Sequence, residues 1–221
     1  MIRILKPILP FAALLLPAMA MSQEVFYSMT DGSCKEYMNV DSNGNTVSYC
    51  IESVKDCHGT PGNGGLTYSY DFLDAEHKSI FKDGKVLDMV VTVSNKETKV
   101  KLDNLSKAAK GENYMPDGDI SSIPADIQVG DDLEDSRVGI EVSFFKSNNL
   151  YTKRKVTGKE TVTTPAGTFD CFIVECTGYP REKKDGVFCR SWITPGTGMV
   201  KQEIVPKKGN ARTMILIKIK Q

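Results

Sequence analysis

The residues able to do chemistry are few and scattered. The chain holds six cysteines, two histidines and one tryptophan. Cys57 and His58 are adjacent, so their side chains diverge in an extended chain. The other histidine is His77, and no Cys-x-x-Cys or His-x-x-x-His spacing accompanies the pair. Cys57 and His58 therefore read as a strand end plus a loop residue. Asp41, Asn43 and Asn45, with Glu52 downstream, have a faint calcium-loop spacing, but Thr46 holds the position that loop gives to glycine. A hairpin explains them better. Asp131, Asp132, Glu134 and Asp135 make an acidic cluster that reads as a solvated loop, with a weak surface cation site as the alternative. Trp192 could stack on a ligand, and a core position on a strand is the plainer reading.

Catalysis finds little support in this inventory. A serine or cysteine nucleophile needs a histidine beside it, and only His58 and His77 are available. A carboxylate pair could serve glycoside hydrolysis, yet 28 acidic residues produce many accidental pairs. No Gly-x-Ser-x-Gly, phosphate-loop or dinucleotide fingerprint is present. The expectation is a protein without catalytic residues, cofactor or metal.

The elements that position these residues read as strands. After residue 22 the helix period hardly occurs, and short alternating segments bounded by Gly, Asn, Asp and Pro dominate. Asn43-Gly44 marks a hairpin, in a register that sets Ser53 opposite Cys34 and so disfavours a Cys34–Cys50 bridge. Residues 66–74, a short strand after 79, 86–94 and 98–103 follow, with turns at Asp83-Gly84 and Ser94-Asn95. Residues 104–111 are the one stretch with helical character. A long polar connection then divides the chain into two strand-rich halves. The second half reads as strands at 137–145, 153–163, 168–177, 186–193, 199–205 and 212–220, the last with Ile215, Ile217 and Ile219 on one face.

The turn at Thr164-Pro165-Ala166-Gly167 predicts a three-residue loop with glycine in the left-handed position. Thr164 then faces Thr168, and Val162 faces Asp170. Phe169, Cys171 and Ile173 lie on one side of the next strand; Phe172, Val174 and Cys176 lie on the other. Both sides are apolar, which predicts a central strand covered on both faces. A sheet of this many strands must curl as its twist accumulates. The expected fold is mainly β: a large antiparallel meander sheet curled into a half-barrel, with little helix.

Residues 1–22 read as a signal peptide, with Arg3 and Lys6, an apolar run from Leu9 to Leu16, and Ala18-Met19-Ala20 before the cut. Residues 23–221 are then a single β half-barrel domain, periplasmic or secreted, with no lipid-attachment cysteine at the cut and no transmembrane segment after cleavage. The remainder is close to neutral, so no nucleic-acid partner is expected. Six cysteines in an exported chain favour disulfides. Cys171 and Cys176 point to opposite faces and cannot pair. A turn centred on Glu182-Lys183 sets Cys176 opposite Cys189, the candidate disulfide. Complete pairing of the six needs a bridge between the halves; otherwise Cys171 and one N-terminal cysteine stay free.

The runs "RKVTGKETVTTPAGTFDCFIVE" (154–175) and "WITPGTGMVKQE" (192–203) carry a resemblance. With the earlier "SIPADIQVGDDLED", the chain resembles the TapB-like family of exported bacterial proteins with a domain of unknown function, most clearly over 137–221. The resemblance implies a YmcC-like half-barrel and no reaction. Cys34, Cys50, Cys57, Cys176 and Cys189 depart from its pattern, so it implies no disulfide scheme. The expected role is non-catalytic binding of a lipid or other apolar or amphipathic ligand, or of an envelope protein partner, on the curved sheet. The alternatives are a structural module with a filled concavity, or a hydrolase.

Overall fold

Period-two alternation becomes strands throughout the computed structural model, which describes residues 26, 28, 30–60, 63–81, 86–94, 97–103, 123, 124, 126–142, 145–180 and 185–220. β1 (Cys34–Asp41), β2 (Thr46–Thr60), β3 (Asn63–Leu73), β4 (Leu87–Ser94) and β5 (Glu97–Asp103) form one antiparallel run. β6 (Asp132–Leu133) and β7 (Ser136–Val142) both pair with β8 (Phe145–Thr164). β9 (Gly167–Pro180), β10 (Val187–Thr194), β11 (Gly198–Pro206) and β12 (Arg212–Lys220) continue from β8 as a meander. β12 then pairs antiparallel with β1, from Cys34 opposite Lys220 to Asp41 opposite Arg212. That seam joins the halves into a single 12-stranded antiparallel sheet. None of the described residues is helical.

The sheet is curled and open. β5 and β6 end its strand order and do not pair with each other. Ala166 and Phe169, at the tip of the β8–β9 hairpin, pack against the cluster of Tyr37, Cys50 and Leu216. Three strands stand between β9 and β1. In a flat sheet that separation would be ~19 Å at four strand spacings, so the contact requires the layer to roll up. The result is the predicted half-barrel.

Both faces of β9 are covered. Val174 packs with Val156 and Ile193, beneath Phe26, Ile127 and Leu133. On the other side, Cys171 packs with Trp192 and Val200, flanked by Val162, Phe169 and Ile173. Burying apolar surface from both directions makes this strand the centre of the second half.

Two hairpins differ from the sequence reading, in opposite senses. Gly167 pairs with Thr164, so the loop is the two residues Pro165-Ala166, and Val162 faces Phe169 rather than Asp170. Gly167 has φ +142°, a value that an L side chain rarely adopts, and it begins the strand instead of closing the turn. In the first hairpin the Asp41 N–H donates to the Asn45 carbonyl, leaving Ser42, Asn43 and Gly44 as a three-residue loop with Gly44 at φ +82°. A bulge between Asn39 and Val40 restores the predicted register, and Cys34 does face Ser53.

Other boundaries also shift. Residues 137–145 are not one strand: Val142 pairs back onto Phe145. The short strand expected after residue 79 is a single bridge between Leu73 and Ser79. A bulge at Ile217 sets Leu216 opposite Tyr37 and Ile219 opposite Lys35, so Ile215, Ile217 and Ile219 do not share one face: Leu216 is the fully buried residue of β12 and Ile219 packs beside it. The signal segment 1–22, the helical reading at 104–111 and the turns at Asp83-Gly84, Asn95 and Glu182-Lys183 lie outside the described residues.

Candidate functional site

An open groove of about 620 Å³ lies beside the β8–β9 hairpin and the β10–β11 turn. Lys159, Glu160, Thr161, Asp170, Cys171, Phe172, Thr194 and Pro195 line it. Antiparallel register supplies six of these as facing pairs: Lys159 with Phe172, Glu160 with Cys171, Thr161 with Asp170. The volume lies within the range of small-molecule sites.

The polar groups of the groove are mostly engaged. Thr161 Oγ1 donates to Asp170 Oδ1 at 2.7 Å, and Thr194 Oγ1 donates to the Asp170 carbonyl at 2.7 Å. Trp192 Nε1 donates to Glu160 Oε2 at 2.8 Å from beneath. The two carboxylates are thus held by neighbours. Lys159 Nζ sits 4.3 Å from the centre of the Phe172 ring and has no ion-pair partner among the described residues. A cation over an aromatic face is weakly held and remains available to an anion. Burial, with Asp170 and Glu160 nearby, pushes the Cys171 thiol up to about 11. It stays protonated near neutral pH, which makes it a poor nucleophile.

A second polar constellation lies in the first half. Lys35 Nζ is 2.7 Å from Glu52 Oε1, and both side chains are buried. Tyr70 donates its hydroxyl to Glu52 Oε2 at 2.8 Å, and Tyr37 donates to the Met199 carbonyl at 3.1 Å. Burial, then the Glu52 charge, pushes both phenols well above their usual range. Neutral tyrosines therefore donate here; neither is poised as a base. The sequence reading missed Lys35 and saw Glu52 only as a loop ligand. Parity carried the signal: 35 and 37 share a face of β1, and 50, 52 and 54 share the facing side of β2.

The residues singled out earlier are dispersed. Asp41 Oδ1 accepts the backbone N–H groups of Asn43 and Asn45 at 2.8 and 2.9 Å, while Glu52 turns to Lys35, so no calcium loop assembles. The Cys57 N–H donates to Asp31 Oδ1 and the exposed His58 ring meets the Asp56 carbonyl. His77 stacks on Tyr49 at 3.7 Å and meets Glu36 at 3.3 Å. In the acidic cluster, Asp131 accepts the Gln128 N–H and Asp132 meets Lys155. The Glu134 carbonyl accepts from the Arg154 guanidinium at 2.6 Å. Among the described residues, no three His, Cys, Asp or Glu side chains gather as a metal site. Trp192 is a core residue at 4% exposure. Cys176 does face Cys189, and all six cysteines are free thiols.

Comparison with known proteins decides the family. The DUF3108-like family model matches residues 30–216. The chain belongs to the DUF3108-like family. Two solved structures share the fold of this DUF3108-like chain. One is a protein from Bacteroides fragilis named as exported, with a YmcC-like fold, at a TM-score of 0.71 and 20% identity; the match covers 90% of this chain and 100% of that one. The other, named as a lipoprotein, is from Parabacteroides distasonis, with a TM-score of 0.68 and 20% identity over 89% of this chain and 99% of that one. Among curated proteins, none matches. No helix among the described residues is long and apolar enough to cross a membrane.

Proposed function

We propose that this DUF3108-like protein is a non-catalytic, exported envelope protein that binds an anionic amphiphile in the groove of the β8–β9 hairpin. The observation that carries the reading is Lys159 held over the Phe172 ring at the edge of a groove of about 620 Å³. Phe172 and Pro195 offer apolar surface to a tail. Lys159 offers charge to a head group, because Glu160 and Asp170 are already occupied by Trp192 and Thr161. The protonated Cys171 thiol supports binding over nucleophilic chemistry. A periplasmic or secreted location follows from the signal-like residues 1–22, and the names of the two structural neighbours agree with export. The narrower TapB-like assignment belongs to this proposal and rests on the motifs at 154–175 and 192–203.

Titration of the full chain with a dansylated fatty acid tests the reading. Saturable binding is expected, weakened about tenfold or more by Lys159→Glu and by Phe172→Ala. Equal affinity in all three proteins would sink it. The rival reading, a filled structural module, is favoured by the full burial of Tyr37, Leu66, Val156, Val200 and Leu216. It predicts no saturable binding at all.

A further inference from the structure

Cys176 on β9 and Cys189 on β10 stand directly opposite each other, in a register without a bulge from Val187–Gly178 to Ile193–Phe172. Opposed antiparallel residues hold their Cα atoms ~4.5–5.5 Å apart, a separation that a disulfide closes without moving the backbone. The site has room for sulfur because Gly178 follows on the same face. A Cβ at Gly178 would lie 3.2 Å from Cys189 Sγ and 3.2 Å from Tyr151 Cε1. Cys189 is buried at 2% exposure, while Cys176 is only partly buried. The Cys189 thiol donates to the Val187 carbonyl at 3.9 Å, the ionisations of the two thiols are linked, and the buried Arg154 guanidinium lies within electrostatic reach of Cys176.

We infer that Cys176 and Cys189 form a dithiol redox site that reacts with a disulfide oxidant, R–S–S–R, and closes to a cross-strand disulfide. Cys176, the accessible sulfur, attacks first as thiolate: its new S–S bond to one R–S group forms as the oxidant's S–S bond breaks and R–S⁻ leaves. Cys189 then attacks the Cys176 sulfur and expels the second R–S⁻. Two cysteine thiols are oxidised, the oxidant is reduced to two R–SH, and the two cysteine protons end on those leaving groups. At rest the coupling favours the anion on Cys189, and accessibility decides that Cys176 is the sulfur an oxidant meets. The Cys176 S–H holds Cys189 below the ordinary thiol range, with the Gly178 N–H adding to the effect, while Cys176 is pushed well above it. The Arg154 charge favours the anion on Cys176. This site is separate from the groove, since neither Cys176 nor Cys189 is among the residues that line it.

The test uses the full chain, fully reduced and then equilibrated in glutathione buffers from all-reduced to all-oxidised. Samples are acid-quenched, alkylated and mapped by mass spectrometry. Cys176 and Cys189 are expected to lose alkylation together as a linked peptide pair, lighter by two hydrogens, accumulates. Cys171→Ser should leave this unchanged. Cys189→Ser should trap Cys176 as a mixed disulfide with glutathione. A parallel series with an oxidised Cys-x-x-Cys protein as donor separates the sources: closure by glutathione assigns a small disulfide, and closure by the protein alone assigns an enzyme donor. Both cysteines remaining alkylatable under both donors, or either one linking elsewhere, would overturn the inference in the unmutated chain.

Discussion

Lys35 and Glu52 form a buried ion pair across β1 and β2, with 2.7 Å between Nζ and Oε1. Each is removed from water, and Tyr70 completes the carboxylate's hydrogen bonding. Removing one partner strands a buried charge, at a cost of about 3–5 kcal/mol. Replacing the whole constellation with apolar side chains avoids that cost. Lys35→Met is therefore expected to be strongly destabilising by urea unfolding. The triple variant Lys35→Met, Glu52→Leu, Tyr70→Phe is expected to lie much closer to the unmutated protein. Equal losses in both would mean that the pair's charges are not what the fold depends on.

Alkaline pH should weaken the fold. Burial pushes Cys50 up to about 12, Cys171 up to about 11 and Tyr151 up to about 12. Each neutral form is favoured in the folded chain. Their contribution is complete below the unfolded-state values and is lost as pH rises through the folded ones. The window opens near pH 9 for the thiols, where the unfolded chain begins to ionise first. The slope is about 1.4 kcal/mol per pH unit for each group ionised only in the unfolded state. Urea midpoints measured from pH 8 to pH 10.5 should fall steadily above pH 9. A flat profile would contradict the burial of these groups.

Gly178→Ala places a methyl group against Cys189 Sγ and the Tyr151 ring. Overpacking of this kind costs about 1–3 kcal/mol. Thermal unfolding should report that loss, and Gly196→Ala serves as a comparison with a different cause. A Cβ at Gly196 meets nothing within 4 Å, but φ is +73°, so its cost is backbone strain alone. Crowding predicts that Tyr151→Leu relieves Gly178→Ala and leaves Gly196→Ala unchanged.

Much of this architecture was legible because period-two alternation survives local error. The β9–β10 register placed Cys176 opposite Cys189 from the turn centre alone, and β9 was recognisable as doubly covered from Phe172 and Val174. Loop lengths were less legible. Asn43-Gly44 and Pro165-Ala166-Gly167 each fit two hairpin geometries, and Asp41 decides the first by capturing the Asn43 and Asn45 N–H groups. The second error carried through: it moved Asp170 away from Thr161 and so hid the pairings that line the groove. The β1–β12 seam has no local signal, since its partners lie at the two ends of the described chain. Lys35 and Glu52 went unread as a pair because charged residues on an alternating strand are ordinarily assigned to solvent.

The measurement closest to the central claim is native mass spectrometry of the full chain, expressed with residues 1–22 included and purified without detergent. An anionic amphiphile in the groove predicts a population carrying a discrete extra mass, which is sharply depleted in the Lys159→Glu, Phe172→Ala double variant. Bare protein in both samples, or the same bound mass retained undiminished by the double variant, would contradict it.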